Sequence, residues 1–255
     1  MTPLPQVFLT RPIAHRAFHD VARGRPENSR AAVEAAIVEG YGIELDLQLS
    51  RDNHAMVFHD YDLDRLTGEI GEVRARDATD LGRITLTGGD EGVPTFSEVL
   101  DLVAGRVPLL IELKDQHGQM GVTDGALERA VAGALQGYQG PAAVMSFNPN
   151  MVAYLADLLP DHPRGLVTSG YEAQHWPQLT DAIRDHLRDI PDFNRAGCSF
   201  ISHHATDLSR PRVQALRAAG APVLCWTIRS EAEERAARKL SDNITFERYA
   251  AAIPA

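Results

Sequence analysis

Gly42-Ile43-Glu44-Leu45-Asp46-Leu47-Gln48-Leu49-Ser50 decides how the rest of the chain is read. Strand side chains alternate between two faces, so Ile43, Leu45, Leu47 and Leu49 share one face and Glu44, Asp46 and Gln48 the other. Acidic residues are depleted in strands, which makes this run unusual. At a sheet edge the acidic face would simply be wet. In a sheet covered by helices, two carboxylates enter a confined space and need cations.

The flanking sequence selects the covered sheet. A strand over 12–17 precedes a helix over 29–39, with Asn28 as its N-cap and Gly40 as its stop. After the acidic strand, Arg51-Asp52-Asn53 reads as a turn into a short strand, 55–59. Residues 60–94 are polar, carry six glycines and read as an inserted excursion. Helices over 95–104, 125–135, 150–159, 210–219 and 231–240, and a longer, partly irregular helical region over 173–189, then alternate with strands over 109–114, 142–147, 165–169, 199–203, 222–228 and 243–247. Such alternation implies parallel βαβ units with helices over the sheet. Eight or nine strands result, depending on whether 55–59 counts separately. The pattern predicts an α/β fold, a (β/α)8 TIM barrel forming one domain over 1–255 with a small insertion at about 60–94. A doubly wound open sheet is the alternative, but no G-x-G-x-x-G follows the first strand.

Composition narrows the function. A formal charge of −10 argues against non-specific binding to nucleic acid or an anionic membrane. Two cysteines, Cys198 and Cys225, make no disulfide framework and fit a reducing compartment. They read as small core residues, since no metal-type spacing or adjacent histidine accompanies them. No apolar run approaches the roughly 18 residues that span a bilayer, and Met1–Pro12 lacks signal-peptide features. The expected compartment is the cytoplasm, with no stable membrane association.

In barrels of this kind, chemistry sits at the C-terminal ends of the strands. The first strand ends in His15-Arg16, the acidic strand carries Glu44 and Asp46, the short strand ends in His59, and 109–114 ends with Glu112 and Lys114 on one face. Each alone has an ordinary reading: a capping histidine, a wet edge, an ion pair. Together they place three carboxylates, two histidines, an arginine and a lysine at successive strand ends. Converging carboxylates repel one another, and a hard divalent cation, Mg²⁺ or Ca²⁺, relieves that repulsion. Arg16 and Lys114 then suit phosphate oxygens. His15 and His59 suit general acid and base work. Displacement at a phosphodiester needs this combination. Asn28 reads as a helix cap rather than a site residue.

Several runs in this order resemble the glycerophosphodiester phosphodiesterases: Ile13-Ala14-His15-Arg16, Pro26-Glu27-Asn28-Ser29, Gly42-Ile43-Glu44-Leu45-Asp46, Val57-Phe58-His59-Asp60, Pro94-Thr95-Phe96, Ile111-Glu112-Leu113-Lys114, Ser146-Phe147-Asn148 and Cys225-Trp226-Thr227. The resemblance spans nearly the whole chain. It implies a TIM barrel and metal-dependent hydrolysis of small glycerophosphodiesters to glycerol 3-phosphate and an alcohol. By position it makes Glu44, Asp46 and Glu112 metal ligands, His15 and His59 the acid/base pair, and Arg16 and Lys114 phosphate ligands. It suggests attack by the neighbouring glycerol hydroxyl to give a cyclic phosphate that water opens. Trp226 and Phe147 are candidate walls for the substrate, with core packing as the competing reading. The family's usual His-Arg-Gly is His15-Arg16-Ala17 here, which predicts a reshaped first loop. Two alternatives stay open: a barrel acting on intact lipid phosphodiesters, and a non-catalytic ligand-binding barrel.

Overall fold

A computed structural model describes residues 1–254. Its elements are α1 (Val7–Thr10), β1 (Ile13–Ala14), α2 (Arg30–Glu39), β2 (Gly42–Leu49), β3 (Ala55–Val57), α3 (Ala78–Leu81), α4 (Phe96–Val103) and β4 (Leu109–Leu113). They continue with α5 (Ala126–Leu135), β5 (Ala142–Ser146), α6 (Pro149–Leu158), β6 (Arg164–Thr168), α7 (Asp181–Arg188) and β7 (Phe200–His204). The chain ends with α8 (Pro211–Ala218), β8 (Val223–Ile228), α9 (Glu231–Ala237) and β9 (Asn243–Phe246).

Eight strands run parallel in the order β1-β9-β8-β7-β6-β5-β4-β2, and β1 also pairs with β2, closing a (β/α)8 barrel. The strand-count ambiguity resolves simply. β3 pairs antiparallel with β2 (Leu47 opposite Val57) and stands outside the barrel.

The alternation in β2 settles as the covered-sheet reading requires. Ile43, Leu45, Leu47 and Leu49 are wholly buried with Val33 and Ala36 of α2, Val99 of α4 and Val131 of α5. Burial of each such side chain contributes about 1.5–3 kcal/mol. A one-residue slip of β2 would drive the carboxylates under the helices, so these contacts also fix the register. Inside the barrel, Leu110, Ala143, Val167, Phe200 and Leu224 fill the lower layers, and Leu4 and Phe8 plug the floor. Gly165 is required there, because a Cβ would sit 2.4 Å from the Phe200 ring. Asn243 ties the plug in place, donating from Nδ2 to the carbonyls of Phe8 and Arg11. The apolar filling stops halfway up, which leaves the upper layer to polar side chains.

The sequence expectations differ from the structure in three places. β1 covers only Ile13–Ala14 of the expected 12–17, because Arg16 and Ala17 both turn into the left-handed region, at φ 52° and 64°. Ala17 therefore takes up the backbone angles that glycine favours, at a cost of about 1–2 kcal/mol. The N-cap of α2 is Ser29, whose Oγ accepts from Ala32 N, and not Asn28. Of the expected helical region over 173–189 only Asp181–Arg188 forms, started by Thr180. Residues 60–94 build their own small core from Leu63, Val73, Leu81, Leu86 and Val93, packed on Met56 and Phe58.

Candidate active site

The upper half of the barrel holds every residue singled out as a site candidate. His15, Arg16, Glu44, Asp46, His59, Glu112, Lys114, Phe147 and Trp226 line one cavity of about 150 Å³. A larger groove of about 570 Å³ adjoins it and shares His59, Glu112, Lys114, Phe147 and Trp226.

Glu44, Asp46 and Glu112 are buried, and each offers an oxygen within 4.8 Å of the others. Asp46 and Glu112 sit directly opposite in the parallel β2–β4 pair, which brings them together. Lys114, two residues beyond Glu112, reaches both, with Nζ 2.7 Å from Asp46 Oδ1 and 2.5 Å from Glu112 Oε1. Burial, reinforced by the charges of Asp46 and Glu112, pushes the Glu44 carboxyl well above its ordinary range. Burial also pushes Asp46 up, but Lys114, His59, Arg16 and His15 outweigh it and hold Asp46 well below the carboxylate range. One lysine thus satisfies two of three crowded carboxylates. An all-oxygen donor set carrying excess negative charge fits a hard divalent cation.

Both histidines are held from behind by carboxylates. The hydrogen bond from His15 N to the carbonyl of Phe246 extends the β1–β9 ladder, and His15 Nδ1 lies 2.7 Å from Glu247 Oε2. Glu247 also accepts from Arg229 Nε at 2.8 Å. Burial lowers the His15 pKa to about 4, against the pull of Glu247, so the ring is neutral at neutral pH. His59 Nδ1 lies 2.6 Å from Asp60 Oδ1, and Arg65 grips Asp60 in turn. Gln48, the last inward residue of β2, donates from Nε2 to the His59 carbonyl. With Nδ1 committed to a carboxylate, each ring turns Nε2 outward from its carboxylate.

The left-handed turn at Arg16 lets its backbone N–H donate to Glu44 Oε2 at 2.9 Å. Its guanidinium binds Glu27 at 2.6 Å and lies 3.6 Å from Asp46, and its buried Nε has no hydrogen-bond partner. Trp226 donates from Nε1 to the Ser202 carbonyl, and its ring stands edge-on to Phe147 at 5.5 Å. Both rings line the cavity and at the same time pack against the buried core inside the barrel, so both readings of them hold.

Sequence reasoning missed several residues. Asn28, read as a cap, donates from Nδ2 to Asp46 Oδ2 at 2.9 Å and belongs to the site. Two adjacent cap-forming residues, Asn28 and Ser29, hid this, and its φ of 60° is one that Asn tolerates. Glu247 directly follows β9, so the strand-end rule that selected Glu44 would have found it. Asp60 follows His59 directly. Ser202 and Thr245 line the cavity with buried hydroxyls that have no partner; nothing in the sequence distinguishes them. His203 and His204 separate as expected for successive strand residues: His203 is buried against Thr168, while His204 packs on Trp226. Burial pushes the Cys198 and Cys225 thiols up to about 12 and about 11, consistent with inert core residues.

Comparison with known proteins follows this geometry. The family model described as the glycerophosphoryl diester phosphodiesterase family matches residues 15–244. A glycerophosphodiester phosphodiesterase of Bacillus altitudinis is 28% identical over 192 residues, covering 72% of this chain and 73% of its own. One from Bacillus subtilis is 24% identical over 257 residues, covering 90% and 79%. Among solved structures, an Oleispira antarctica phosphodiesterase in complex with the product sn-glycerol-3-phosphate superimposes with a TM-score of 0.76 at 22% identity, over 94% of each chain.

Proposed function

The chain belongs to the glycerophosphoryl diester phosphodiesterase family, and on that premise we propose that it hydrolyses glycerophosphodiesters to sn-glycerol 3-phosphate and an alcohol. The observation that carries this reading is the meeting, in one cavity, of three crowded carboxylates with two carboxylate-backed histidines, an arginine and a lysine.

Glu44, Asp46 and Glu112 are the residues that hold a divalent cation, Mg²⁺ or Ca²⁺, which when bound neutralises phosphate charge and polarises its oxygens. The chain's own groups divide the remaining work. Lys114 Nζ and the unpartnered Arg16 Nε bind phosphate oxygens and hold the diester in place. The glycerol end enters the small cavity, where the buried Ser202 and Thr245 hydroxyls suit its hydroxyl groups. The alcohol end leaves through the larger groove.

This orientation assigns the histidines. His15 lines only the small cavity, and burial keeps it neutral. It accepts the proton of the glycerol hydroxyl that attacks phosphorus, with Glu247 stabilising the imidazolium that forms. His59 lines both spaces, and Asp60 holds its ring so that it protonates the departing alcohol oxygen. Attack by the neighbouring hydroxyl leaves a cyclic phosphate, and water opens it with the two roles reversed. The reducing cytoplasm is the compartment that two free, buried cysteines support. Among the described residues no helix is long and apolar enough to cross a membrane.

The test is release of glycerol 3-phosphate from a glycerophosphodiester by the wild-type chain and by His59→Ala. Turnover is expected to vanish in the variant while metal affinity stays nearly unchanged. Substantial residual turnover would remove His59 from the acid/base pair.

A further inference from the structure

The large groove has a composition of its own. Four aromatic rings, Tyr61, Phe147, Trp176 and Trp226, line it, and the last two are the only tryptophans in the chain. Phe147 joins the other two walls, with its centroid 4.9 Å from Trp176 and 5.5 Å from Trp226. Five carboxylates, from Asp60, Asp62, Asp64, Glu112 and Asp115, share the rest of the lining with only two fixed cations, Arg65 and Lys114. Asp60 pairs with Arg65, and Glu112 with Lys114. Asp62, Asp64 and Asp115 pair with no cation among the described residues.

Asp115 is the informative one. It is only 7% exposed, and its carboxylate is satisfied by neutral donors alone, Met120 N at 2.7 Å and Asn148 Nδ2 at 3.1 Å. The groove's own cations cannot answer this charge. The Arg65 guanidinium is taken up by Glu27 and Asp60, and Lys114 by Asp46 and Glu112. A space walled by aromatic faces and carrying uncompensated negative charge matches an onium group, which is drawn to the negative faces of the rings and needs no hydrogen bond. A neutral polyol could hydrogen-bond the carboxylates but would leave their charge uncompensated, and an anion would be repelled by them.

Resting on the phosphodiesterase reading, we propose that this groove selects diesters whose leaving alcohol carries a positively charged nitrogen, with Trp176 as a specificity-determining wall. His59 at the junction of groove and cavity then stands beside the oxygen that departs. A single desolvated cation–π contact strengthens binding by roughly tenfold, about 1.4 kcal/mol.

The experiment compares kcat/KM for glycerophosphocholine with that for glycerophosphoglycerol, whose alcohol is neutral. A preference of about tenfold or more for the choline ester is expected. Trp176→Leu should bring the ratio towards one, and Trp176→Phe, which keeps an aromatic face, should retain most of it. Equal kcat/KM for the two esters in the wild type, or the same ratio in both variants, overturns the proposal. Faster turnover of lysophosphatidylcholine than of glycerophosphocholine also overturns it, by assigning the groove to an acyl chain. Failure to hydrolyse either ester contradicts the phosphodiesterase reading instead. Quenching of tryptophan fluorescence by choline alone then decides the groove, since both tryptophans line it: saturable quenching supports the proposal, and its absence refutes it.

Discussion

Replacing Glu247 by glutamine isolates what the carboxylate behind His15 does. Shape is preserved, and an amide oxygen can still accept from His15 Nδ1, now as a neutral hydrogen bond worth about 0.5–1.5 kcal/mol. What disappears is a negative charge in contact with the ring, at 2.7 Å, on a side chain only 8% exposed. When His15 takes up a proton, that charge attracts the imidazolium by about 4 kcal/mol at an effective dielectric of 20 and a charge separation of about 4 Å. Arg229 already neutralises part of the carboxylate from its other oxygen, at 2.8 Å, and is half exposed. The attraction lost to the reaction is therefore about 2–3 kcal/mol. Because it acts on a charge that exists only during turnover, kcat should fall about 100-fold while KM moves by no more than a few-fold. Steady-state release of glycerol 3-phosphate reads both constants, and near-ultraviolet circular dichroism checks that the variant is folded. A folded Glu247→Gln protein with kcat within threefold of wild type would refute the assignment of His15 as the base that Glu247 supports.

Other outcomes follow from the same geometry. Glu44→Gln removes one of three converging carboxylates and should raise the divalent-metal concentration needed for half-maximal activity; an unchanged metal titration would take Glu44 out of the ligand set. Stability should fall in acid through His203, far from the metal cluster. Burial lowers its pKa from 6.5 to about 4, against the pull of Asp207, so the unfolded chain binds the proton more readily. That stabilisation is fully present above pH 6.5 and is lost as pH falls towards 4, amounting to about 2 kcal/mol between pH 7 and pH 4.5. Denaturant unfolding of wild type and His203→Gln at both values measures it, and parallel pH dependence in the two proteins would contradict it.

The barrel was legible in the sequence because its determinants are periodic and local. Leu45, Leu47 and Leu49 alternate with Glu44, Asp46 and Gln48, and that period holds whatever the rest of the chain does. The residues at strand ends were legible for the same reason, since position on a strand fixes direction. What escaped was set by tertiary contact. Asn28 faces Asp46 because the loop after β1 turns through positive φ at Arg16 and Ala17, which no local pattern announces. Glu247 lies 232 residues from the histidine it holds. The groove acids are chemically ordinary in sequence, and only the fold shows which carboxylates find a cation. Ala17, which stands where the resemblance leads one to expect glycine, occupies the left-handed region itself.

The central claim is that the three carboxylates hold a metal the reaction requires. It is tested most directly by following glycerol 3-phosphate release from glycerophosphocholine in chelator and after stepwise return of Mg²⁺ or Ca²⁺. The account expects activity to vanish with EDTA and to return saturably with one of the two ions. Undiminished hydrolysis in excess EDTA would contradict it.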